Sequence, residues 1–237
     1  MKKILALFLA VTFLLGTLPL YTVAFAASGN TCGGEGNESN VTWSFDSATG
    51  TLTISGTGPM ANWYHEMDLA IAGSFGYNVE DYLPADKEYV YTPWYSLRDK
   101  ILHAVISDGI TTLGDFTFSG CENLQDVKLS KDLTIIGHAA FENCISLANV
   151  EIPAGVTDIG VGAFYSNISA TSVTVPEGAL NIAYGAFSLC TSLKEISLPS
   201  TLKTLSALTF AFCQKLSSIE IPENVPGISG YTFFRCT

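Results

Sequence analysis

The sequence predicts a β-rich repeat solenoid, with one short strand and one short helical turn in each coil, preceded by an N-terminal segment that contains a β-hairpin. Two observations predict this fold. A phenylalanine returns every 23 residues without insertion or deletion, and an apolar pair with period two follows the first five copies, as in a strand with one buried face. Because a unit of this length cannot enclose a core alone, each copy must stack on the next.

The chain of 237 residues begins with the pattern of a secretory signal peptide. Lys2 and Lys3 precede a long apolar run, and Ala24-Phe25-Ala26 supplies the small residues of a cleavage site. We therefore expect residues 1–26 to be removed, with a membrane anchor as the alternative for an apolar run of this length. Cleavage predicts a secreted or cell-surface protein that is not inserted in the membrane.

Acidic residues outnumber basic ones by 22 to 11, so the formal net charge is −11 at pH 7. Loss of Lys2 and Lys3 with the signal peptide makes the charge more negative by two. A surface this acidic repels phosphate backbones, so nucleic acid is excluded as an expected partner.

Residues 27–100 form the predicted N-terminal cap segment. Apolar residues alternate over 41–45 and over 52–54, on either side of a glycine-containing turn at 46–50, which is typical of a hairpin. Ile101 aligns with the repeats that follow, so we expect the first coil to begin there. The hairpin then has to cover the open edge of that coil.

This segment is also rich in aromatic and acidic residues. Its tryptophans, Trp43, Trp63 and Trp94, together with six tyrosines between Tyr64 and Tyr95, could form a sugar-stacking platform or the core of the cap, and we favour the core. The carboxylates follow no spacing known for a calcium loop, so they predict a solvated face and no metal site: Asp68, Glu80, Asp81, Asp86 and Glu88.

Residues 101–237 contain the repeats, and the last copy is incomplete. The phenylalanine is followed three residues later by Cys121, Cys144, Asn167, Cys190, Cys213 and Cys236. This spacing predicts one helical turn with both side chains facing the core. Another aligned position holds only small residues and predicts a close approach of neighbouring chain, not a left-handed backbone: Gly114, Gly137, Gly160, Ala183, Ser206 and Ser229.

The cysteines leave two interpretations. Neighbouring coils are close enough for a disulfide, but aligned cysteines point the same way and Asn167 occupies the same position without sulfur, which favours free buried thiols. One cysteine per coil and three scattered histidines indicate no zinc site. His138 falls in a variable position that we expect to be exposed. We therefore expect no catalytic residue, cofactor or metal, and no enzyme activity.

The pattern V-x-x-I-G-x-x-A-F-x-x-C-x-S-L-x-x-V-x-I-P resembles the BspA-type leucine-rich repeat of bacterial surface proteins, over roughly residues 101–237. Residues 28–100, with WSFDSATGTLTISGTG and TPWYSLRDKI, resemble the leader segment of secreted proteins from Gram-positive gut bacteria. The resemblance implies a non-enzymatic, adhesin-like protein that attaches to a host or bacterial surface protein or to a glycan. The alternative is a targeting module of a larger secreted enzyme that acts on cell wall or glycans.

The outward positions of the repeat strands are the candidate partner-binding residues: Asp126, Lys128, Asn149, Glu151, Ser172, Thr174, Glu195, Ser197, Ser218 and Glu220. Small polar side chains of this kind suit many weak contacts with a partner, although they could equally be a solvated sheet face. The sequence stops in mid-repeat at Thr237, so we expect the gene product to continue or the chain to be a fragment.

Overall fold

The computed structural model describes residues 30–63 and 90–236, so the predicted signal peptide lies outside the described residues. The predicted hairpin is confirmed. Strands β1 (Val41–Asp46) and β2 (Thr51–Gly56) pair antiparallel. Gly50 closes the turn with a left-handed φ of 69°, and its N–H donates to the carbonyl oxygen of Asp46 at 2.8 Å. Glycine adopts this conformation without the strain that a Cβ would cause.

The first sheet is mixed, and its parallel part begins one strand earlier than the repeats predict. Its order is β1, β2, β4 (His103–Ile106) and β6 (Asp126–Lys128), and β2 pairs parallel with β4. Thr51 therefore lies beside His103, 52 residues later. The insertion between the two strands hides this coil from a search at a period of 23.

A second parallel sheet runs continuously along the solenoid. Its strands are β3 (Gly58–Pro59), β5 (Ile110–Leu113), β7 (Ile135–Ile136), β8 (Asp158–Ile159), β10 (Asn181–Ile182) and β12 (Thr204–Leu205). The remaining strands, β9 (Ser172–Thr174) and β11 (Glu195–Ser197), form a two-stranded parallel sheet on the same side as β6. The family of short parallel strands confirms the predicted solenoid.

The segment predicted as a helical turn is a β-turn. In the first copy the N–H of Cys121 donates to the carbonyl oxygen of Phe118 at 3.0 Å, and Gly120, the third residue of the turn, has a left-handed backbone that a helix does not allow. The third residue is left-handed in every copy: Gly120, Asn143, Ser166, Leu189, Phe212 and Arg235. The residue two positions before the phenylalanine is left-handed as well: Phe116, Ala139, Gly162, Gly185, Leu208 and Tyr231. The only helix among the described residues is the 3-10 helix Tyr95–Lys100.

The turns also form a ladder of hydrogen bonds between coils. The N–H of Phe118 donates to the carbonyl oxygen of Ala140, and the N–H of Phe141 donates to that of Ala163, each at 2.8 Å. Backbone groups that a helix would have paired internally are therefore paired with the next coil. This ladder and the second sheet fix the spacing of the coils on two sides of the core.

Stacked phenylalanine rings run through the core. The steps from Phe118 to Phe233 have ring-centroid distances between 5.2 and 5.9 Å and interplanar angles between 1° and 14°. Trp94 extends the stack at its N-terminal end, 6.4 Å from Phe118, and its indole N–H donates to the carbonyl oxygen of Thr117 at 2.9 Å. The repeated phenylalanine is thus one continuous apolar column, which explains why its spacing does not vary.

Candidate binding surface

The ten predicted partner residues lie on one face of the solenoid, which we call the strand face, and all ten are exposed. They occupy the first and third positions of five aligned segments, 126–128, 149–151, 172–174, 195–197 and 218–220. In β9 and β11 the register places Ser172 beside Glu195 and Thr174 beside Ser197. The structure therefore arranges them in two columns, and their role in binding stays a prediction.

The columns extend further towards the N-terminus than the sequence indicated. Parallel pairing places Thr51 beside His103 and then Asp126 in the first column. In the second column it places Thr53 beside Val105 and then Lys128. The alignment of Ala104 with Val127 was enough to find His103 and Val105, whereas no repeat spacing identifies Thr51 and Thr53.

At this end of the face, one carboxylate already has a partner. The Nδ1 atom of His103 lies 2.7 Å from Oδ2 of Asp126, and both side chains are exposed to solvent. An exposed pair of this kind contributes little to stability, about 0–1 kcal/mol. Its consequence is local, because one oxygen of Asp126 is already engaged within the protein.

The strand ladder of this face is interrupted at two coils. Residues 149–151 and 218–220 lie at the aligned positions but do not form strands, so β6 has no strand neighbour on its C-terminal side and neither does β11. The turn ladder continues across both places, whereas the second sheet continues past the first and ends at β12, before residues 218–220. The coils are therefore joined by backbone hydrogen bonds on other sides of the core but not at these two places of the strand face.

A groove lies at each interruption. Groove 1, of about 450 Å³, lies between residues 149–152 and 172–176. Groove 2 lies between residues 194–200 and 218–222 and has two compartments of about 450 and 380 Å³. Half-buried apolar side chains form the floors, Val150 in groove 1 and Ile196 and Ile219 in groove 2.

A small cavity of about 10 Å³ lies beneath groove 1 and shares Asn149, Val150 and Ile152 with it. Ala170 and Asn167, which replace the leucine and cysteine of other copies, line this cavity. Asn167 is only 2 % exposed, and its Oδ1 atom has no hydrogen-bond partner among the described residues. The interior side of groove 1 therefore contains an acceptor that lacks a donor.

The cysteines are free, as predicted, and burial changes their chemistry. Desolvation raises the pKa of the Cys32, Cys121 and Cys190 thiols from 9.0 to about 12. A thiol with such a pKa is protonated at neutral pH, and the thiolate is the form that attacks electrophiles or binds metals. Within 30–63 and 90–236, no three His, Cys, Asp or Glu side chains are grouped as metal ligands.

His138 is partly buried, so the expectation of an exposed position is wrong. The Nδ1 atom of His138 accepts the backbone N–H of Val161 at 2.9 Å, and the backbone N–H of His138 donates to Oδ1 of Asp115 at 2.7 Å. The N–H of Asp115 in turn donates to Oδ1 of Asn62 at 2.9 Å. The side chains of Asn62, Asp115 and His138 thus each accept a backbone N–H from the aligned position of the next coil, which gives His138 a structural role.

The tryptophans form the core of the N-terminal segment. Trp63 and Trp94 are 1 % and 0 % exposed, and Trp94 makes edge contacts with Trp43 at 5.8 Å and with Trp63 at 5.3 Å between ring centroids. This confirms the core interpretation for these side chains. The tyrosines from Tyr64 to Tyr89 and the five carboxylates considered for calcium lie outside the described residues.

No helix in the described parts of the chain is long and apolar enough to span a membrane.

Comparison with known proteins identifies relatives of the repeats. Residues 111–237 match, in six copies, the model of a family described as the BspA type leucine rich repeat region. No curated protein matches the chain.

Two solved structures share the fold. A leucine-rich repeat protein from Bacteroides ovatus is 24 % identical over 82 % of this chain and 49 % of its own, with a TM-score of 0.56. A leucine rich cell surface protein from Faecalibacterium prausnitzii is 23 % identical over 84 % of this chain and 51 % of its own, also with a TM-score of 0.56. The chain thus spans about half the length of these proteins.

Proposed function

The chain belongs to the BspA type leucine-rich repeat family, and from this we propose that it is a non-enzymatic protein of the bacterial surface that binds a partner protein through its strand face. The observation that carries the proposal is the exposure of all ten side chains in the two columns of that face. Core packing does not require them, and solenoids use such surplus surface for binding.

The chemistry of the strand face supports binding by many contacts. The first column carries carboxylate, amide and hydroxyl groups, and the second carries one ammonium, two carboxylate and two hydroxyl groups. Grooves 1 and 2 add half-buried apolar surface beside them. Such a mixture of polar rim and apolar floor is typical of transient protein interfaces. Burial raises the pKa of the Cys121 and Cys190 thiols, so these thiols stay protonated at neutral pH and are poor nucleophiles.

Secretion and surface attachment form part of the proposal. The signal-peptide pattern of residues 1–26 supports export. The Faecalibacterium prausnitzii relative is itself described as a cell surface protein. Surface exposure can be tested by protease shaving of intact cells, with release of this chain expected before lysis and its protection counting against the proposal.

Binding is tested with the mature chain, residues 27–237, on immobilised collagen, laminin and fibronectin and on purified peptidoglycan. The double variant Thr174→Tyr and Ser197→Tyr places two bulky side chains on the strand face and should reduce binding to a matrix protein at least tenfold, the loss expected when steric block removes a central contact. The matched control, Ile135→Tyr and Thr204→Tyr, alters exposed positions of the second sheet and should leave binding unchanged.

Equal loss in both double variants would show that the strand face is not the binding surface. Binding to peptidoglycan alone would instead favour a targeting role on cell wall.

A further inference from the structure

The geometry of the two grooves points to the chemistry of the partner: a polypeptide that places one basic side chain, lysine or arginine, in each groove. This inference rests on the proposed function, because it assigns an occupant to the strand face. It is argued from the floor and rim of each groove, from the hydrogen-bonding groups that lack partners, and from the spacing of the grooves.

Groove 1 presents acceptors above an apolar floor. Val150 and Ile152 lie at its base, the exposed carboxylate of Glu151 lies at its rim, and the hydroxyls of Ser172 and Thr174 line the opposite wall. Lysine and arginine fit this arrangement, since their methylene stems cover apolar surface while their donors remain at the polar rim.

The interior of groove 1 favours a donor as well. The Oδ1 atom of Asn167 is buried in the cavity below Val150 and has no donor among the described residues. A buried acceptor without a donor costs about 1–3 kcal/mol. The cavity of about 10 Å³ is too small for a lysine or arginine head group, so the missing donor would be one water between Oδ1 and the groove, and a cationic side chain above it leaves that water free to donate inward.

Groove 2 has the same character. Ile196 and Ile219 form its floor, and Glu195 and Glu220 line it. Lys194 lines the same compartment as these two glutamates, so two carboxylates and one ammonium group leave it with a formal charge of −1. Glu177, in the other compartment, already accepts the N–H and hydroxyl of Ser200, each at 3.0 Å.

The rim carboxylates are available to a partner. Glu151, Glu195 and Glu220 are exposed, and within the described part of the chain none of them has an ion pair or a side-chain hydrogen bond. The net charge of −11 adds long-range attraction for a cationic partner.

The grooves recur after two coils. Val150 and Ile196 occupy the same position of the repeat, and the two intervening ring steps of the phenylalanine stack are each 5.2 Å. The grooves are therefore about 10 Å apart, which is about three residues of an extended chain. One short segment with two basic residues can reach both.

The test uses the mature chain and fluorescein-labelled peptides in which zero to eight Gly/Ser residues separate two arginines. Fluorescence anisotropy at low salt gives the Kd of each peptide and of its counterpart with citrulline, which is uncharged and nearly isosteric. We expect the tightest binding with two or three intervening residues, and about tenfold weaker binding when both arginines are replaced by citrulline.

Matched variants locate the site. Glu151→Gln and Glu220→Gln should each weaken binding about threefold, and the double variant about tenfold, as for separate exposed ion pairs. Glu122→Gln removes the same charge from an exposed turn position outside both grooves and should change the Kd by less than about twofold.

Equal binding of the citrulline peptides overturns the inference, and so does an equal effect of Glu122→Gln, which would indicate attraction by net charge alone. If no arginine peptide binds while Thr174→Tyr with Ser197→Tyr still abolishes binding to a matrix protein, the proposed function stands and the basic-side-chain inference fails. Failure of both experiments removes the strand face as a binding surface.

Discussion

The thiol of Cys144 donates a hydrogen bond to the carbonyl oxygen of Phe118 in the preceding coil, with Sγ 3.2 Å from the oxygen. Cys190, Cys213 and Cys236 repeat this contact, each with the phenylalanine 26 residues earlier. The position three residues after each phenylalanine thus favours a small apolar side chain that carries one weak hydrogen-bond donor. Cysteine has both properties. The cysteines link the coils without a disulfide.

Asn167→Cys should stabilise the protein. The variant removes the buried Oδ1 that lacks a donor and restores the thiol found at the aligned positions. We expect the free energy of unfolding in urea to rise by about 1–2 kcal/mol. The reciprocal variant, Cys144→Asn, should lower it by a similar amount, and a stabilising effect of that reciprocal change would contradict the role assigned to the thiol.

Ala170→Leu should also stabilise the protein, because the aligned residue is leucine in other copies and the cavity below groove 1 is lined by Ala170. We expect a gain of about 1 kcal/mol in the free energy of unfolding. Ala163→Leu is the matched control. Ala163 is fully buried and packed against its neighbours, so overpacking there should cost about 1–3 kcal/mol. A lower melting temperature for Ala170→Leu would indicate a different local register.

The repeat period predicted most of this fold because each coil is held by the same contacts. The phenylalanine column, the small-residue positions and the strand positions all follow from a spacing of 23, and the structure places Phe118 and Phe141 in a stack accordingly. The period did not identify the extra coil at Thr51, because the pairing of Thr51 with His103 spans 52 residues. Periodicity finds only the contacts that recur.

The candidate site was predictable in part. Alternation along the strands identified the exposed columns, but nothing in the sequence indicates that the ladder is interrupted at Val150 and Ile219. Val173 and Ile196 occupy the same repeat position in coils that do form strands, and they are the same residue types as Val150 and Ile219. The grooves depend on the spacing between coils, which a pattern within one coil does not specify.

Gly137→Ala should destabilise the protein through close contact, not through backbone conformation. A Cβ at Gly137 would lie 2.7 Å from the backbone nitrogen of Asp115 and from the carbonyl carbon of Gly114, and the backbone there is not left-handed. Backbone atoms cannot move aside as the end of a flexible side chain can. We therefore expect the free energy of unfolding, measured by urea denaturation, to fall by about 2–3 kcal/mol.

Ala183→Gly is the control for that prediction, since Ala183 occupies the same position two coils later. Removal of its methyl group should cost no more than about 1 kcal/mol, the entropic effect of glycine. Equal effects of the two substitutions would mean that the coils are not more closely spaced at Gly137 than at Ala183.

The buried thiols predict a loss of stability at alkaline pH. Burial raises the pKa of Cys121 and Cys190 from 9.0 to about 12. Below pH 9 both thiols are protonated in the folded and unfolded chains, so their contribution to stability is fully present. Above pH 9 the unfolded chain ionises first, and this favours unfolding progressively until the folded thiols also ionise near pH 12. The melting temperature should therefore fall as pH rises through this window.

Tyrosines also ionise above pH 9, so the thiol contribution is measured as a difference between variants. The double variant Cys121→Ala and Cys190→Ala should be less stable at pH 7, because it leaves two cavities in the core. Its melting temperature should nevertheless fall less steeply between pH 9 and 12 than that of the unaltered protein, because two of the groups that release protons on unfolding are gone. Parallel curves for the two proteins would show that these thiols do not couple folding to pH.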